Sequence, residues 1–358
     1  MQSRCAGSAA AQVTNSKEAI SMKEKILQLL EEADGFVSGQ QLCEALGVSR
    51  TAVWKAISAL RADGYEIEAV TNRGYRLRAI ENADVFNGVE IERRLRTKWV
   101  GRPLFCAKET GSTNNDIQKL SDEGYGNGTL CVSEKQTAGK GRRGRTWISP
   151  SGGNVYMSIL LKPSINPDRA PMTTLIMALA VFRTLEKQSA PVGVRFGIKW
   201  PNDGVVSVDG GKTYKKIVGI LTEMRLEERE IKDITIGTGL NINISAVPPE
   251  VRDTAATIAD ALGRPLCRAA LVADIWNCFE EDYEKFLAAG SLKPLKADYE
   301  RGLVNAGRRV RVLDPRGEYE GTALGISDTG ELLVRTADDK IIPVSSGEIS
   351  VRGVMGYV

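Results

Sequence analysis

Histidine is absent from the 358 residues of this chain. That excludes Ser-His-Asp and Cys-His catalysis and every imidazole metal site. Any chemistry must use carboxylates, lysines, arginines, backbone amides or a metal held by oxygens. Cysteine is sparse: six are present, at 5, 43, 106, 131, 267 and 278, with no CxxC pair. Cys43, Cys106 and Cys131 sit among apolar neighbours and read as small core residues. This usage fits a reduced, cytoplasmic compartment. No apolar run approaches the roughly 18–20 residues of a membrane span, so no membrane partner is expected. Net charge is only +3, so a nucleic-acid contact would have to come from a local basic patch.

The length suits two or three domains. Residues 1–21 are rich in Ala, Ser and Gln, without the apolar segment of a secretory signal. They read as a disordered tail, or as an over-extended start with Met22 the true initiator. Residues 22–80 read as one unit. Ile26, Leu27, Leu29 and Leu30 give Met22–Glu32 an apolar face. Ser38 and Gln41 form a capping box, Gly47 is the expected stop, and Ser49 opens a third helix whose buried face is Val53, Ile57 and Leu60. Two short strands, Tyr65–Val70 and Tyr75–Leu77, follow around a Thr-Asn-Arg-Gly turn. The layout is that of a winged helix-turn-helix.

Residues 81–84 make a short polar connection. Over 84–304, strands predicted at Gly128–Glu134, Val155–Leu161, Gly193–Lys199, Ile217–Met224 and Ile231–Leu240 are interspersed with helices predicted at Asn114–Asp122, Met172–Gln188 and Arg268–Ala289. Spacing between strands is often too short for a crossover helix, which predicts an α+β domain with a mixed sheet. Over 305–358, short strands at Arg309–Leu313, Glu318–Ile326, Glu331–Thr336 and Lys340–Val344 alternate with turn signals, as in a small β-barrel.

The most informative segment is Gly139-Lys-Gly-Arg-Arg-Gly-Arg-Thr-Trp147. Glycines permit close backbone approach to a ligand. Arginine forks match phosphate and carboxylate oxygens. A loop that alternates the two and ends in an indole is suited to close over an anionic ligand carrying a flat ring.

Taken with Ser112-Thr113-Asn114, Lys199-Trp-Pro-Asn-Asp203, Lys216-Ile-Val-Gly-Ile-Leu221 and Gly237-Thr-Gly-Leu-Asn241, the loop resembles the biotin–protein ligase family. The resemblance runs from residue 22 to about 355 and is to the bifunctional subclass, ligase and biotin operon repressor in one chain. It implies a class II synthetase-like catalytic domain, an SH3-like C-terminal barrel, and a two-step reaction. Biotin and ATP, with Mg²⁺, give biotinyl-5′-adenylate, and a lysine of the biotin carboxyl carrier protein of acetyl-CoA carboxylase then takes the biotinyl group. Two anions must meet in the first step, so the site has to supply positive charge. The resemblance assigns Lys216 and Arg142 to that work and sets Asp203 beside them, as a Mg²⁺ ligand or to orient the amine. Ser112, Thr113, Asn114 and Gln136 would hold the ureido ring. Ser112–Asn114 could equally be a helix N-cap. Lys140 and Gly141, with Arg142 and Lys216, complete the biotin set. Arg143, Gly144, Arg145, Trp147, Lys199, Asn202, Gly237, Gly239 and Asn241 are implied for the adenylate or ATP. Lys199 and Asp203 could instead be a buried structural ion pair. Lys140 stands where the family often has Arg, which puts a bidentate contact in doubt.

Arg50, Thr51, Trp54 and Lys55 lie on the exposed side of the third helix, and Arg73 lies in the wing. These cations gather there while acids cluster in the first two helices, as DNA phosphates require. The resemblance implies operator DNA as partner and a homodimer when the adenylate is bound. Three alternatives stay open: a monofunctional ligase whose N-terminal domain does not bind DNA, a ligand-sensing transcription factor, and a lipoate ligase or octanoyl transferase.

Overall fold

The computed structural model describes residues 22–78, 84–188, 190–314, 317–346 and 350–353. The tail expected over 1–21 lies outside them, as do residues 81–83 of the polar connection. The chain divides into two compact units, Met1–Ala79 and Ile80–Val358.

In the first unit α1 (Met22–Glu32), α2 (Gly39–Leu46) and α3 (Arg50–Ala62) precede an antiparallel hairpin of β1 (Ile67–Val70) and β2 (Gly74–Leu77). The capping box forms: Ser38 Oγ accepts the Gln41 N–H at 3.1 Å, and Gln41 Oε1 accepts the Ser38 N–H at 2.8 Å. Gly47 ends α2 in the left-handed region, at φ 66°. Ile26, Leu27 and Leu30 of α1 and Val53, Ile57 and Leu60 of α3 are buried, so the apolar stripes face one another. Tyr75 also pairs with Val37, which brings β2 against the chain before α2. Gly74 makes that approach possible: its φ is +105°, and a Cβ there would stand 2.1 Å from the Val37 carbonyl oxygen.

The second unit is built on a seven-stranded sheet. Its elements in chain order are α4 (Gly88–Glu92), β3 (Leu104–Ala107), α5 (Thr113–Asp122), β4 (Leu130–Ser133), β5 (Val155–Leu161), α6 (Met172–Glu186), β6 (Arg195–Lys199), β7 (Asp203–Ser207), β8 (Lys215–Glu227), β9 (Glu230–Leu240), α7 (Ile258–Leu262), α8 (Arg268–Ala289) and α9 (Lys296–Gly302). The strand order is β3-β4-β5-β9-β8-β7-β6. The β3–β4 pair is parallel and the other neighbours are antiparallel, so the sheet is mixed. Every residue of β4 and β5 is buried. Helix α6 is apolar almost all round, as expected of a helix enclosed between the sheet and α8. Glu280 of α8 is also buried, and its carboxylate accepts the backbone N–H groups of Lys98, Trp99 and Val100 at 2.6–3.0 Å. That satisfies a charge that would otherwise be costly.

The same unit carries a five-stranded antiparallel sheet, ordered β13-β12-β11-β10-β14. Its strands are β10 (Arg309–Leu313), β11 (Tyr319–Ile326), β12 (Leu332–Arg335), β13 (Ile341–Val344) and β14 (Ser350–Gly353). The buried Trp200 indole donates to the Gly330 carbonyl at 3.0 Å, and Glu300 Oε1 accepts the Ile326 N–H at 3.0 Å. These bonds tie this sheet to the larger one.

One core expectation is corrected. Cys131 is buried, but Cys43 is half-buried and Cys106 is exposed. Cys106 lies on β3, an edge strand of the sheet, two residues beyond the buried Leu104.

Candidate active site

Sheet register assembles the cleft. Tyr156 of β5 pairs with Gly239 of β9, Gly239 with Gly219 of β8, Gly219 with Asp203 of β7, and Asp203 with Lys199 of β6. These five residues form one rung across the sheet, so their side chains leave from the same face. The second and third members are glycines, which opens a trough between the flanking side chains. Trp147 lies in that trough. A Cβ on Gly239 would come 2.4 Å from the indole Nε1, and one on Gly219 would come 2.7 Å from the indole Cζ3.

Lys216 reaches this face because of a β-bulge. Gly204 pairs with Val218 but Val205 pairs with Lys216, so Ile217 is the extra residue. The bulge reverses the alternation of faces along β8 and turns Lys216 toward the trough. Its Nζ lies 2.5 Å from Asp203 Oδ1 and 5.1 Å from the centre of the Trp147 ring. Lys215 turns away and donates to the Arg252 carbonyl at 3.1 Å.

Lys199 and Asp203 close the turn made by Trp200-Pro201-Asn202, whose Trp200–Pro201 peptide is cis. Burial pushes the Lys199 ammonium pKa down to about 8; Lys216 and Arg352 push the same way, and Asp203 opposes them. The cationic loop closes over the turn. Arg142 donates from Nη1 to Asn202 Oδ1 at 3.1 Å and from Nη2 to the Ser346 carbonyl at 2.7 Å. Arg143 and Arg145 remain exposed.

The other end of the cleft is polar and uncharged. Ser112 occupies the N-cap position of α5 but makes no capping hydrogen bond with its side chain. Its hydroxyl is therefore not committed to the helix end. Thr113 donates its N–H to Gln136 Oε1 at 2.9 Å, and the Gln136 amide donates to Ser149 Oγ at 3.1 Å. Ser149 in turn donates to the Trp147 carbonyl at 2.9 Å.

The structure thus brings together Ser112, Thr113, Asn114, Gln136, Lys140, Gly141, Arg142, Trp147, Asn202, Lys216, Gly237 and Gly239 around one cleft. Asp203 stands behind Lys216. Arg143, Gly144, Arg145, Lys199 and Asn241 do not line the cleft. Asn241 is buried beside it, with its Oδ1 3.4 Å from the Asn154 amide. Tyr156, Gly219, Ile220, Leu221 and Thr238 also line the cleft. The sequence signal for Gly219 was the Lys-Ile-Val-Gly-Ile-Leu run itself; Tyr156 had none beyond a buried strand. Among the described residues no group of three or more Cys, Asp or Glu is placed to hold a metal. A lone Asp203 already paired with Lys216 is not a cage for Mg²⁺.

In the first unit Thr51, Trp54 and Lys55 are exposed on one side of α3, with Arg50 beside them donating to Gln40 Oε1 at 3.0 Å. Arg73 is exposed in the turn between β1 and β2, its guanidinium 4.5 Å from the centre of the Phe36 ring.

Comparison with known proteins bears on the family of the chain. The profile of the Biotin/lipoate A/B protein ligase family matches residues 106–241. An HTH domain profile matches 23–76, and the Biotin protein ligase C terminal domain matches 306–352. The chain is 38% identical to the bifunctional ligase/repressor BirA of Bacillus spizizenii, over 88% of this chain and 95% of that protein. The chain belongs to the biotin–protein ligase family. It is also 31% identical to the bifunctional ligase/repressor BirA of Escherichia coli, over 92% of this chain and 96% of the other. Among solved structures, the biotin protein ligase from Aquifex aeolicus in complex with biotin and ATP superposes with a TM-score of 0.58 at 31% identity, covering 70% of this chain and 98% of that one.

Proposed function

We propose that this chain is a biotin–[acetyl-CoA-carboxylase] ligase and a biotin-dependent repressor of biotin genes. The observation that carries the reading is the trough over Gly219 and Gly239, closed by Trp147 and flanked by Lys216 and Arg142.

In the first step a biotin carboxylate oxygen attacks the α-phosphorus of ATP. The bond to the bridging oxygen breaks, and pyrophosphate leaves. Lys216 and Arg142 supply positive charge where the two anions meet, and Lys199 adds charge on the pyrophosphate side. No protein nucleophile is needed, which agrees with the lack of histidine. Ser112, Thr113, Asn114 and Gln136 take the ureido ring, and Lys140 and Gly141 run beside the valerate chain. Trp147, which rests on Gly219 and Gly239, offers its other face to the adenylate, and Gly237 and Gly239 allow the backbone to come close beside it. Arg143, Gly144, Arg145, Asn202 and Asn241 support that cover and the phosphates. In the second step the ε-amine of a carrier-protein lysine attacks the anhydride carbonyl, and AMP leaves; Asp203 orients that amine. Mg²⁺ carried on the ATP phosphates would supply further positive charge there, and Asp203 would be the acidic group of this turn to face it.

The finer architecture follows the same reading. Residues 22–80 act as a winged helix-turn-helix that places Arg50, Thr51, Trp54, Lys55 and Arg73 on operator DNA. Residues 84–304 are the catalytic domain, of the class II synthetase-like kind, and 305–358 form an SH3-like barrel. The adenylate-bound protein is a cytoplasmic homodimer. No described helix is long and apolar enough to cross a membrane. The test is to incubate the protein with biotin, MgATP and a biotin carboxyl carrier domain, then blot with streptavidin. Labelling that requires both substrates supports the reading. Equal or better transfer of lipoate or octanoate overturns it.

A further inference from the structure

Glu223 belongs to none of the motifs read from the sequence and does not line the cleft. It lies on β8, and its two carboxylate oxygens have different partners. Oε2 accepts the Asn114 amide N–H at 2.6 Å, and Oε1 lies 3.7 Å from Lys140 Nζ. Asn114 is 4% exposed, and its Oδ1 accepts the Ser158 hydroxyl at 2.7 Å. An amide held between a carboxylate and a hydroxyl donor has one favourable orientation, with its NH₂ toward the carboxylate. Glu223 thus fixes which face Asn114 turns to a ligand. Lys140, at Glu223's other oxygen, belongs to the cationic cover. One side chain therefore joins the wall of the cleft to its lid.

We propose that Glu223 is a positioning residue for the ligase reaction, acting on two steps through two neighbours. Through Asn114 it presets the polar end of the cleft for biotin. Through Lys140 it holds the cationic loop down and slows escape of the adenylate. The proposal rests on the ligase reading above.

The two roles differ in strength, which makes them separable. The Lys140–Glu223 pair is 3.7 Å long with side chains 39% and 31% exposed, the kind of ion pair that shifts an equilibrium only a few-fold. The short, charge-assisted bond to a buried amide is stronger. Glu223→Gln keeps an acceptor oxygen for Asn114 and removes the charge facing Lys140. It should release preformed biotinyl-adenylate about two- to five-fold faster while the KM for biotin stays within about two-fold. Glu223→Ala removes both contacts and should raise the KM for biotin by about ten-fold or more. In a Lys140→Gln background, Glu223→Gln should change the release rate no further.

Stopped-flow release of the adenylate and biotin-dependent pyrophosphate exchange read these quantities. An unchanged release rate in Glu223→Gln, full additivity with Lys140→Gln, or equal KM effects of the Gln and Ala variants each overturns the proposal. Parent enzyme run alongside separates the two levels. A parent that forms no adenylate removes the ligase reading and the proposal together, whereas an active parent with an indifferent Glu223 removes only the proposal.

Discussion

The ammonium of Lys216 and the carboxylate of Asp203 meet at 2.5 Å at the wall of the cleft, with Asp203 behind the lysine. They come from adjacent strands, and the bulge at Ile217 is what lets them face one another. The pair places a cation where two anionic substrates have to approach and holds it there beside the Trp147 ring. Lys216→Ala should reduce adenylate formation by about 10²–10³-fold, the usual cost of losing one preorganised charge from a reacting centre. Circular dichroism should show the fold retained, because the substitution leaves the backbone hydrogen bonds of residue 216 to Thr254 and Ala256 in place. Biotin-dependent pyrophosphate exchange within a few-fold of the parent would refute its role.

Much of this was legible in the chain itself, because the relevant signals are local. The Ser38–Gln41 box and the Gly47 stop involve neighbours in sequence, and both appear as expected. The Gly-Lys-Gly-Arg-Arg-Gly loop announces itself by composition. What could not be read is register. Nothing in the sequence says that Tyr156, Gly239, Gly219, Asp203 and Lys199 share a rung, since that depends on pairing between strands far apart in the chain. The bulge at Ile217 is equally silent. Strands β3, β7 and β14 also escaped the reading of the sequence. The burial expected of Cys106 failed for a related reason: edge position is a property of the sheet. Glu223 was missed because an isolated carboxylate in a strand has no signature.

Arg142 ties the cationic loop to two places, the Asn202 side chain and the Ser346 carbonyl. Arg142→Gly removes both tethers and a half-buried charge. Adenylate should still form, at a reduced rate, because Lys216 remains. The intermediate should then escape about 10-fold faster or more, each lost charge-assisted bond accounting for about 1.5–3 kcal/mol at most. Free adenylate acylates exposed lysines, so incubation with an unrelated protein should give biotin labelling that the parent does not. An unchanged adenylate off-rate argues that the loop is held by other contacts.

The depressed lysine gives a pH signature. Lys199 loses its proton near pH 8 in the folded chain, against about 10.4 for a free lysine. Between these values the unfolded chain binds the more protons, so the contribution of Lys199 to stability rises with pH across that window. Nucleotide binding should move the opposite way, because a neutral amine no longer attracts phosphate. The KM for ATP is expected to rise several-fold from about pH 7 to about pH 10, and bound triphosphate should shift the inflection upward. Lys199→Gln should start with weaker ATP binding and lose that inflection. A variant that keeps the parent's inflection would assign the titration to another group.

Trp54 is 60% exposed on α3, an unusual position for a large apolar side chain. Lys55 is exposed beside it, and Thr51 lies one turn earlier on the same helix. If this face enters the major groove, the two residues act differently on DNA. A lysine on phosphate adds affinity without regard to sequence, and its removal lowers the salt slope by about one. An uncharged indole contacts bases or sugars, so its loss should leave the slope alone. Lys55→Ala should therefore weaken operator and random DNA alike and flatten the salt dependence. Trp54→Ala should weaken the operator by about 1–3 kcal/mol and random DNA much less, with the slope kept. Fluorescence anisotropy over a salt series, with biotin and MgATP present, separates these outcomes. Operator binding that survives Trp54→Ala at full strength would move the recognition surface off this face of α3 and onto the turn that carries Arg73.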